Sequence, residues 1–438
     1  MTHSKKNKKH LNETSNNYFV MGISHKHVVS KNGVRLKREL GLFQTTVCGV
    51  GIIVGAGIYV LIGIAAGYAG NAIWLSFLIA AMLAALTGLG YAELSSFFKG
   101  DAGEYDYTKE AFNERFAKLI GYLVLFTGVT TAATVALGFA GYLNSLTDIP
   151  IIVGAILLLC LMSYVNFKGI KESSWLNVIF TFLEIIGLLI VMVIGLKFIG
   201  KIDYMEMNNG FTGVFKAAAL AFFAYTGYET IIKLTEETKN PTKTIPRAII
   251  LSIIITSILY VLVALAAVSI VGWEELSISK APLATVVGAA FGAMPALVLV
   301  ISLIALFSTS NTVLMALLTT SRTIYGMAKE KSLPDKLSIV AKKNRTPWVA
   351  IVITLGASSV LALLKNIEFI ANLSNIFIFL TFAIINMSLI VLRYKKPNAK
   401  RKFMVPGNIG KFPVLIFLGV IASLFMLYYS FMNAFFAI

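Results

Sequence analysis

Two apolar segments of the chain carry glycine in places where a membrane helix needs unbroken hydrogen bonding. The first segment has four glycines in the nine positions 49–57, and the second, 220–229, contains Gly227. An unwound backbone exposes N–H and C=O groups, and each of them is costly in hydrocarbon. Such a break is tolerated where it lines a cavity, so both segments are candidate binding sites. Close helix packing is the alternative explanation for the glycines at 55–57, because small residues let helices approach each other.

The peptide groups freed at these breaks suit a ligand that carries both charges. A helix that begins at 55–57 presents free N–H groups and a positive dipole end, which favour a carboxylate. The carbonyls just before it, at 53–54, and those freed in the second segment favour an ammonium. Phe223, Tyr225 and Tyr228 are either a lid over the ligand or ordinary packed bulk. The predicted substrate-binding residues are Ile53, Val54, Gly55, Ala56, Gly57, Phe222, Phe223, Ala224, Tyr225 and Thr226.

One acidic residue lies near the middle of an apolar span. Glu184 is the tenth residue of the predicted span 175–196, and an ionised side chain is expensive at that depth. We consider three roles for it: a proton-coupling group that contacts the first break, a sodium ligand, or a neutral structural glutamate. In the first two roles, its predicted partners lie on one polar stretch of a later span, comprising Ser308, Thr309, Ser310 and Asn311.

Other charged residues lie nearer the ends of the spans. Glu229 is four residues before Lys233, which predicts an i, i+4 ion pair on one helix face. Glu229 could instead recognise a basic side chain of the substrate, with Tyr228 beside it. Glu93 and Arg322 end their spans on the predicted inner side, where contacts with a gate or a loop are favoured over contacts with the substrate.

The elements that position these residues are membrane helices. The 438 residues are 57% hydrophobic and 13% charged, with a mean hydropathy of +0.81, whereas soluble domains carry about 25% charged residues. A span needs about 20 apolar residues. The pattern predicts an all-α membrane protein with eleven spans, at about 43–66, 73–97, 118–146, 149–166, 175–196, 213–233, 248–271, 295–321, 347–364, 369–392 and 413–436.

The positive charge orients the chain and argues against a nucleic-acid partner. With a cytoplasmic N-terminus, 33 of the 38 Lys and Arg residues fall on the inner side, as the positive-inside rule requires. Residues 1–33 are predicted to be a disordered cytoplasmic tail, and 34–438 a single transmembrane domain in the cell membrane. Eleven spans place the C-terminus outside. The two interrupted spans lie five spans apart, so they run in opposite directions, as in transporters built from inverted repeats.

Several motifs in order resemble the amino acid–polyamine–organocation (APC) superfamily, particularly its cationic-amino-acid-transporter-like branch. The resemblance covers about 36–416 and rests on Arg38-Glu39-Leu40-Gly41, the glycine-rich first span, Tyr91-Ala92-Glu93-Leu94, Gly100-Asp101-Ala102-Gly103-Glu104-Tyr105-Asp106-Tyr107, Gly169-Ile170-Lys171-Glu172-Ser173, Phe223-Ala224-Tyr225-Thr226-Gly227-Tyr228-Glu229, Glu236-Glu237-Thr238-Lys239-Asn240-Pro241, Ile245-Pro246-Arg247-Ala248, Ser321-Arg322-Thr323-Ile324-Tyr325-Gly326-Met327-Ala328 and Leu333-Pro334.

This resemblance implies a leucine-transporter-type fold, in which two five-helix inverted repeats have broken first and sixth helices. The repeats would be about 36–200 and 211–392, with an extra helix at 413–436. It also implies an amino-acid substrate, with its carboxylate at 55–57 and its amino group at the carbonyls of Ile53, Phe222 and Phe223. Two features depart from the family pattern. A twelfth span is not found, and Glu184 stands where close relatives often carry a lysine whose ammonium replaces a sodium ion.

The sequence therefore predicts a secondary active amino-acid transporter that works by alternating access. It would be coupled to H⁺, which is favoured, or to Na⁺, or would work as an exchanger, and it would carry cationic or broad neutral amino acids. The alternative is a non-transporting amino-acid sensor on the same scaffold. All four histidines lie in the tail, so we expect no enzyme, metal site or cofactor. Monomer and dimer, and uptake and efflux, stay open.

Overall fold

The computed structural model describes residues 39–98, 103–235, 237–292, 294–341 and 343–436, and for 170–178 only the backbone. The predicted tail, 1–33, lies outside these residues. The helices are α1 (Leu42–Ile53), α2 (Ala56–Ala69), α3 (Ile73–Phe97), α4 (Glu104–Ala111), α5 (Glu114–Thr147), α6 (Ile151–Lys168), α7 (Ile170–Gly195), α8 (Gly210–Ala221), α9 (Pro241–Ile278), α10 (Pro282–Ala290), α11 (Pro295–Lys329), α12 (Trp348–Ala362), α13 (Ile367–Lys395) and α14 (Val414–Phe435). A two-residue hairpin, β1 (Asn408–Ile409) with β2 (Phe412–Pro413), precedes α14.

Most of these helices are long and apolar, and in hydrocarbon the helical conformation satisfies the backbone hydrogen bonds within each segment. Among the described residues, seven helical runs are long and apolar enough to cross a membrane, and they are Ala56–Phe97, Glu114–Thr147, Ile151–Lys168, Pro241–Ile278, Pro295–Lys329, Ile367–Lys395 and Val414–Phe435. Two further apolar helices, Leu42–Ile53 and Trp348–Ala362, are shorter, and so is Ile179–Gly195, the part of α7 whose side chains are described. The structure is an all-α membrane fold, while the count of eleven spans and the inverted repeat stay predictions.

Two spans are interrupted where the glycines predicted a break. α1 ends at Ile53 and α2 begins at Ala56, with Val54 and Gly55 in extended conformation between them. α8 ends at Ala221 and passes into a 3₁₀ turn at Phe222–Tyr225. Beyond Thr226 comes Gly227 at φ +120°, and a second 3₁₀ segment, Tyr228–Leu234, completes this span. A positive φ of that size favours glycine because a Cβ would be strained there.

Longer helices hold these broken ones in place. α9 packs along both α1 and α3, α11 packs on α5, and α14 packs on α13. From α13, the Asn375 side-chain amide donates to the Ala219 carbonyl at 2.8 Å and to the Leu220 carbonyl at 3.3 Å. These are among the last carbonyls of α8, which an α-helix leaves without intrahelical partners. The scaffold therefore supplies hydrogen bonds to the end of the broken helix.

A buried charge cluster joins the end of α3 to the end of α13. Glu93 is fully buried, and its Oε1 accepts from Arg393 Nε at 2.9 Å. Its Oε2 pairs with Arg393 Nη2 and accepts from the Val405 peptide N–H at 2.9 Å. Arg401 Nε lies 3.3 Å from Glu93 Oε1, and burial lowers the pKa of the Arg401 guanidinium. Glu93 thus anchors the loop after α13, one of the two roles expected from its position.

The substitution Glu93→Gln is expected to lower the melting temperature of the purified protein by several degrees. Removing one partner of a buried ion pair costs about 3–5 kcal/mol, because the remaining charge is left uncompensated. Glu114→Gln is the matched control, since Glu114 pairs with Lys118 at an exposed position on α5 and exposed pairs contribute little. Equal melting temperatures for both variants in detergent would contradict an anchoring role of Glu93.

Candidate functional site

The two breaks touch each other in the interior of the protein. A Cβ built on Gly57 would lie 2.5 Å from Ala224 Cα, and one on Gly227 would lie 2.9 Å from the Ile52 carbonyl oxygen. Real side chains do not approach a backbone that closely, so both contacts depend on glycine. Gly57 therefore does allow two segments to pack closely, as the alternative explanation proposed. Gly57 packs against the other break, so the same contact would serve both helix packing and a binding site.

A tyrosine from α9 links the carbonyls of the two breaks. The Tyr260 hydroxyl oxygen lies 3.1 Å from the Ile53 carbonyl oxygen and 3.0 Å from that of Ala224. Its ring is fully buried and packs edge-on against the rings of Tyr225 and Phe77, with centroids 5.2 and 6.0 Å away. Sequence reasoning missed Tyr260. The available signal was a tyrosine near the middle of the predicted span 248–271.

The start of α2, predicted to bind a carboxylate, contacts a hydroxyl from α11. The Ala56 peptide N–H donates to Thr312 Oγ1 at 3.1 Å. Gly55 and Thr312 are partly exposed, whereas Val54 and Ala56 are fully buried. Some accessible surface therefore remains at the N-terminal end of α2 beside Thr312. The predicted polar stretch of α11 stopped one residue short of this threonine.

Glu184 is fully buried in α7 and faces α11, as predicted. Its Oε1 accepts from the Asn311 side-chain amide at 3.1 Å, and Ser308 lies beside the same carboxyl group. Three oxygens here are buried without a hydrogen-bond partner, namely Glu184 Oε2, Ser308 Oγ and Asn311 Oδ1. The Glu184 peptide carbonyl accepts from the Tyr59 hydroxyl at 2.7 Å, which ties α7 to α2, just beyond the first break.

The other two polar residues of this stretch are turned away from Glu184. The Thr309 hydroxyl donates to the Ala305 carbonyl at 2.7 Å, and the Ser310 hydroxyl donates to the Leu306 carbonyl at 2.7 Å. Both bonds run within α11, as is usual for hydroxyl side chains inside apolar helices. Of the four predicted partners, the structure brings Ser308 and Asn311 to the carboxyl group and leaves Thr309 and Ser310 bonded to their own helix.

The tyrosines of the second break point at α3, which differs from the predicted lid. The Tyr225 hydroxyl donates to the Phe77 carbonyl at 3.0 Å, and Tyr228 shares a hydrogen bond with Thr87. Both side chains are fully buried. They fix the break against α3 in this conformation, because each hydroxyl is bonded to that helix.

The remaining residues of this segment also have internal partners. The Phe222 ring packs against Phe379 of α13 with centroids 4.9 Å apart, and Phe223 is buried. The Thr226 hydroxyl donates to the Phe223 carbonyl at 2.8 Å. The Phe223 carbonyl, which the resemblance assigned to the substrate amino group, is thus bonded to Thr226. The carbonyls that face Tyr260 are those of Ile53 and Ala224.

The expected ion pair of Glu229 is replaced by a cap on the backbone. Glu229 Oε2 accepts from the Gly227 peptide N–H at 2.8 Å, and the segment Tyr228–Leu234 is 3₁₀ rather than α-helical. With three residues per turn, residues four apart differ by about 120° around the axis. Lys233 therefore leaves the face of Glu229, and the predicted i, i+4 pair is wrong. Arg322 is partly buried on α11, with no carboxylate of the described residues within ion-pair distance.

The helices and this site define a multi-pass helical membrane protein whose two broken helices meet in the protein interior. A sequence profile of the family described as amino acid permease matches residues 40–436. The chain therefore belongs to the amino acid permease family of the APC superfamily, and the resemblance in the motifs is confirmed.

The names of individual relatives all describe transport and differ in the substrate that they give. The branched-chain amino acid permease BcaP of Bacillus subtilis is 31% identical over 414 residues, covering 90% of this chain and 88% of BcaP. The methylthioribose transporter of the same bacterium is 28% identical, covering 85% of this chain and 84% of the relative. Mouse cationic amino acid transporter 4 is 30% identical, covering 86% of this chain and 63% of the relative. All three names describe permeases or transporters.

Proposed function

We propose that this protein is a secondary active amino-acid transporter of the cell membrane that works by alternating access. The observation that carries the proposal is the contact between the two helix breaks at Gly57 and Ala224. Non-helical backbone at membrane depth is tolerated where it is buried in protein or lines a cavity, and Gly55 and Thr312 beside it are partly exposed. The N-terminus is taken as cytoplasmic and the C-terminus as extracellular.

The same geometry supports recognition of the backbone of an amino acid. The substrate carboxylate would bind the N-terminal end of α2, where it competes with Thr312 Oγ1 for the Ala56 N–H. A carboxylate is the stronger acceptor, because hydrogen bonds to ionised groups are about twice as strong as neutral ones. The substrate ammonium would bind the carbonyls of Ile53 and Ala224. Both substrate charges are then met by peptide dipoles instead of ionised side chains.

We infer that the favoured substrates have uncharged side chains. Of the acidic residues near the breaks, Glu184 is fully buried beside Asn311 and is assigned to the coupling proton below, and Glu229 caps the Gly227 N–H. A cationic side chain would need a carboxylate that is not already engaged, because an unpaired buried charge is costly. This choice agrees with the name of BcaP. Cationic substrates are the second candidate, because Glu229 is partly exposed and one relative is named for cationic amino acids.

The coupling ion proposed for this transporter is a proton on Glu184. A protonated carboxyl group gains an O–H donor, and an acceptor without a partner, Asn311 Oδ1, belongs to a residue beside it. Protonation also removes a full charge from a fully buried position. Sodium is the alternative, because the same oxygens are hard donors of the type that hard cations prefer.

Uptake into proteoliposomes tests the proposed function directly. The purified protein is expected to accumulate labelled leucine or another uncharged amino acid inside vesicles, with lysine and arginine transported more slowly. Protein-free vesicles are the control for leakage. Preference for lysine would favour the second candidate substrate class. Binding in a thermal-shift assay without any flux would indicate the sensor and contradict transport.

A further inference from the structure

The Tyr260 hydroxyl contacts two carbonyl oxygens but has only one hydrogen to donate. Its hydroxyl oxygen lies within 3.1 Å of both the Ile53 and the Ala224 carbonyl oxygens. A phenol has a single O–H donor, so one of the two carbonyls lacks a hydrogen from Tyr260 at any moment. Ile53 is the last residue of α1, and Ala224 lies in the 3₁₀ turn after α8. Both carbonyls therefore lie where regular helical hydrogen bonding stops.

The missing donor is what a substrate ammonium would supply. An ammonium has three N–H donors and no acceptor. Placed between the breaks, it can donate to one carbonyl and to the Tyr260 oxygen, while the Tyr260 hydroxyl donates to the other carbonyl. Both carbonyls and the Tyr260 hydroxyl then have hydrogen-bond partners, as buried polar groups require.

Building on the function proposed above, we propose that Tyr260 is a specificity residue for the α-amino group of the substrate. It contacts the ammonium directly and holds the two broken helices at the spacing that the ammonium needs. Its place is kept by packing, because the ring is fully buried between those of Tyr225 and Phe77. Tyr260 would thereby distinguish amino acids from carboxylates of the same shape that lack the amino group.

Competition binding to the purified full-length protein, with L-leucine and its des-amino analogue 4-methylpentanoate as probes, tests this assignment. In Tyr260→Phe, leucine is expected to bind about tenfold to a hundredfold more weakly, the range for losing a hydrogen bond to a charged group. The affinity for 4-methylpentanoate is expected to stay the same. The ratio of the two affinities is the decisive quantity, because a general loss of packing lowers both together.

Tyr142→Phe is the matched control, because Tyr142 is also fully buried and its hydroxyl also donates to a carbonyl, that of Tyr59, at 2.9 Å. This variant is expected to keep the wild-type ratio. An unchanged ratio in Tyr260→Phe, with or without a parallel fall in both affinities, overturns the role of Tyr260. Failure of the wild-type protein to bind leucine would instead count against the proposed function itself, so the two failures are distinguishable.

Discussion

Gly57→Val is expected to reduce amino-acid uptake to the level of protein-free vesicles. The added Cβ would lie 2.5 Å from Ala224 Cα and 3.0 Å from Ala224 N, and these backbone atoms cannot move aside as the end of a flexible side chain can. The two breaks would be forced apart, and the carbonyls of Ile53 and Ala224 with them. A misplacement of about 1 Å in a preorganised site is enough for a severe loss of function. Initial rates of labelled-leucine uptake, per folded molecule, measure the effect.

Gly356→Ala is the control for this substitution. Gly356 lies inside α12, and a Cβ there meets nothing within 4 Å. Alanine is the better helix former, so the control is expected to match or exceed the wild-type protein in stability and to transport normally. A second variant, Gly57→Ala, adds only the Cβ that meets Ala224, so it is expected to lower uptake without the extra bulk of valine. Normal uptake by both Gly57 variants would show that the breaks do not form the site.

Glu184→Gln is expected to abolish accumulation driven by an imposed pH gradient. Glutamine keeps the shape of the side chain and an oxygen that can accept from Asn311, as Glu184 Oε1 does at 3.1 Å. It cannot bind or release a proton. Uptake with an acidic exterior should then equal uptake without a gradient, while counterflow exchange of unlabelled for labelled substrate continues. This combination isolates coupling from binding, because exchange needs the substrate site but no net proton movement.

Uptake under a sodium gradient in the same vesicles tests the alternative coupling ion. If wild-type uptake follows sodium and ignores the pH gradient, Glu184 is a cation ligand and the proton proposal is wrong. If Glu184→Gln accumulates substrate under a pH gradient as the wild-type protein does, the glutamate is structural. Asn311→Ala is a useful second variant, because it leaves Glu184 able to titrate but removes the hydrogen bond to Oε1. It should weaken coupling less than Glu184→Gln does.

Local features of the chain were sufficient to predict the helices and both interruptions. In a membrane, apolar runs of about 20 residues form helices, because a helix satisfies the backbone hydrogen bonds within one segment. Glycines mark where these helices are interrupted. The break at Val54 and Gly55 and the positive φ of Gly227 follow from this chemistry alone. The buried position of Glu184 opposite Asn311 was also predictable, because an intramembrane carboxyl group needs polar partners.

Contacts between distant segments were decided only by the tertiary structure. Tyr260, Thr312 and Arg393 approach their partners across sequence separations of 207, 256 and 300 residues, and no local pattern encodes which helices become neighbours. The same limit explains the wrong pair at Glu229, where local spacing assumed an α-helix but the chain adopts a 3₁₀ segment.

The residue sequence by itself therefore determined that the chain would form membrane helices interrupted at two points that carry glycine, because those outcomes depend on solvent and backbone conformation. Packing decided what the breaks face, since the position of a tyrosine hydroxyl between two carbonyls depends on how α9 lies across α1 and the turn after α8.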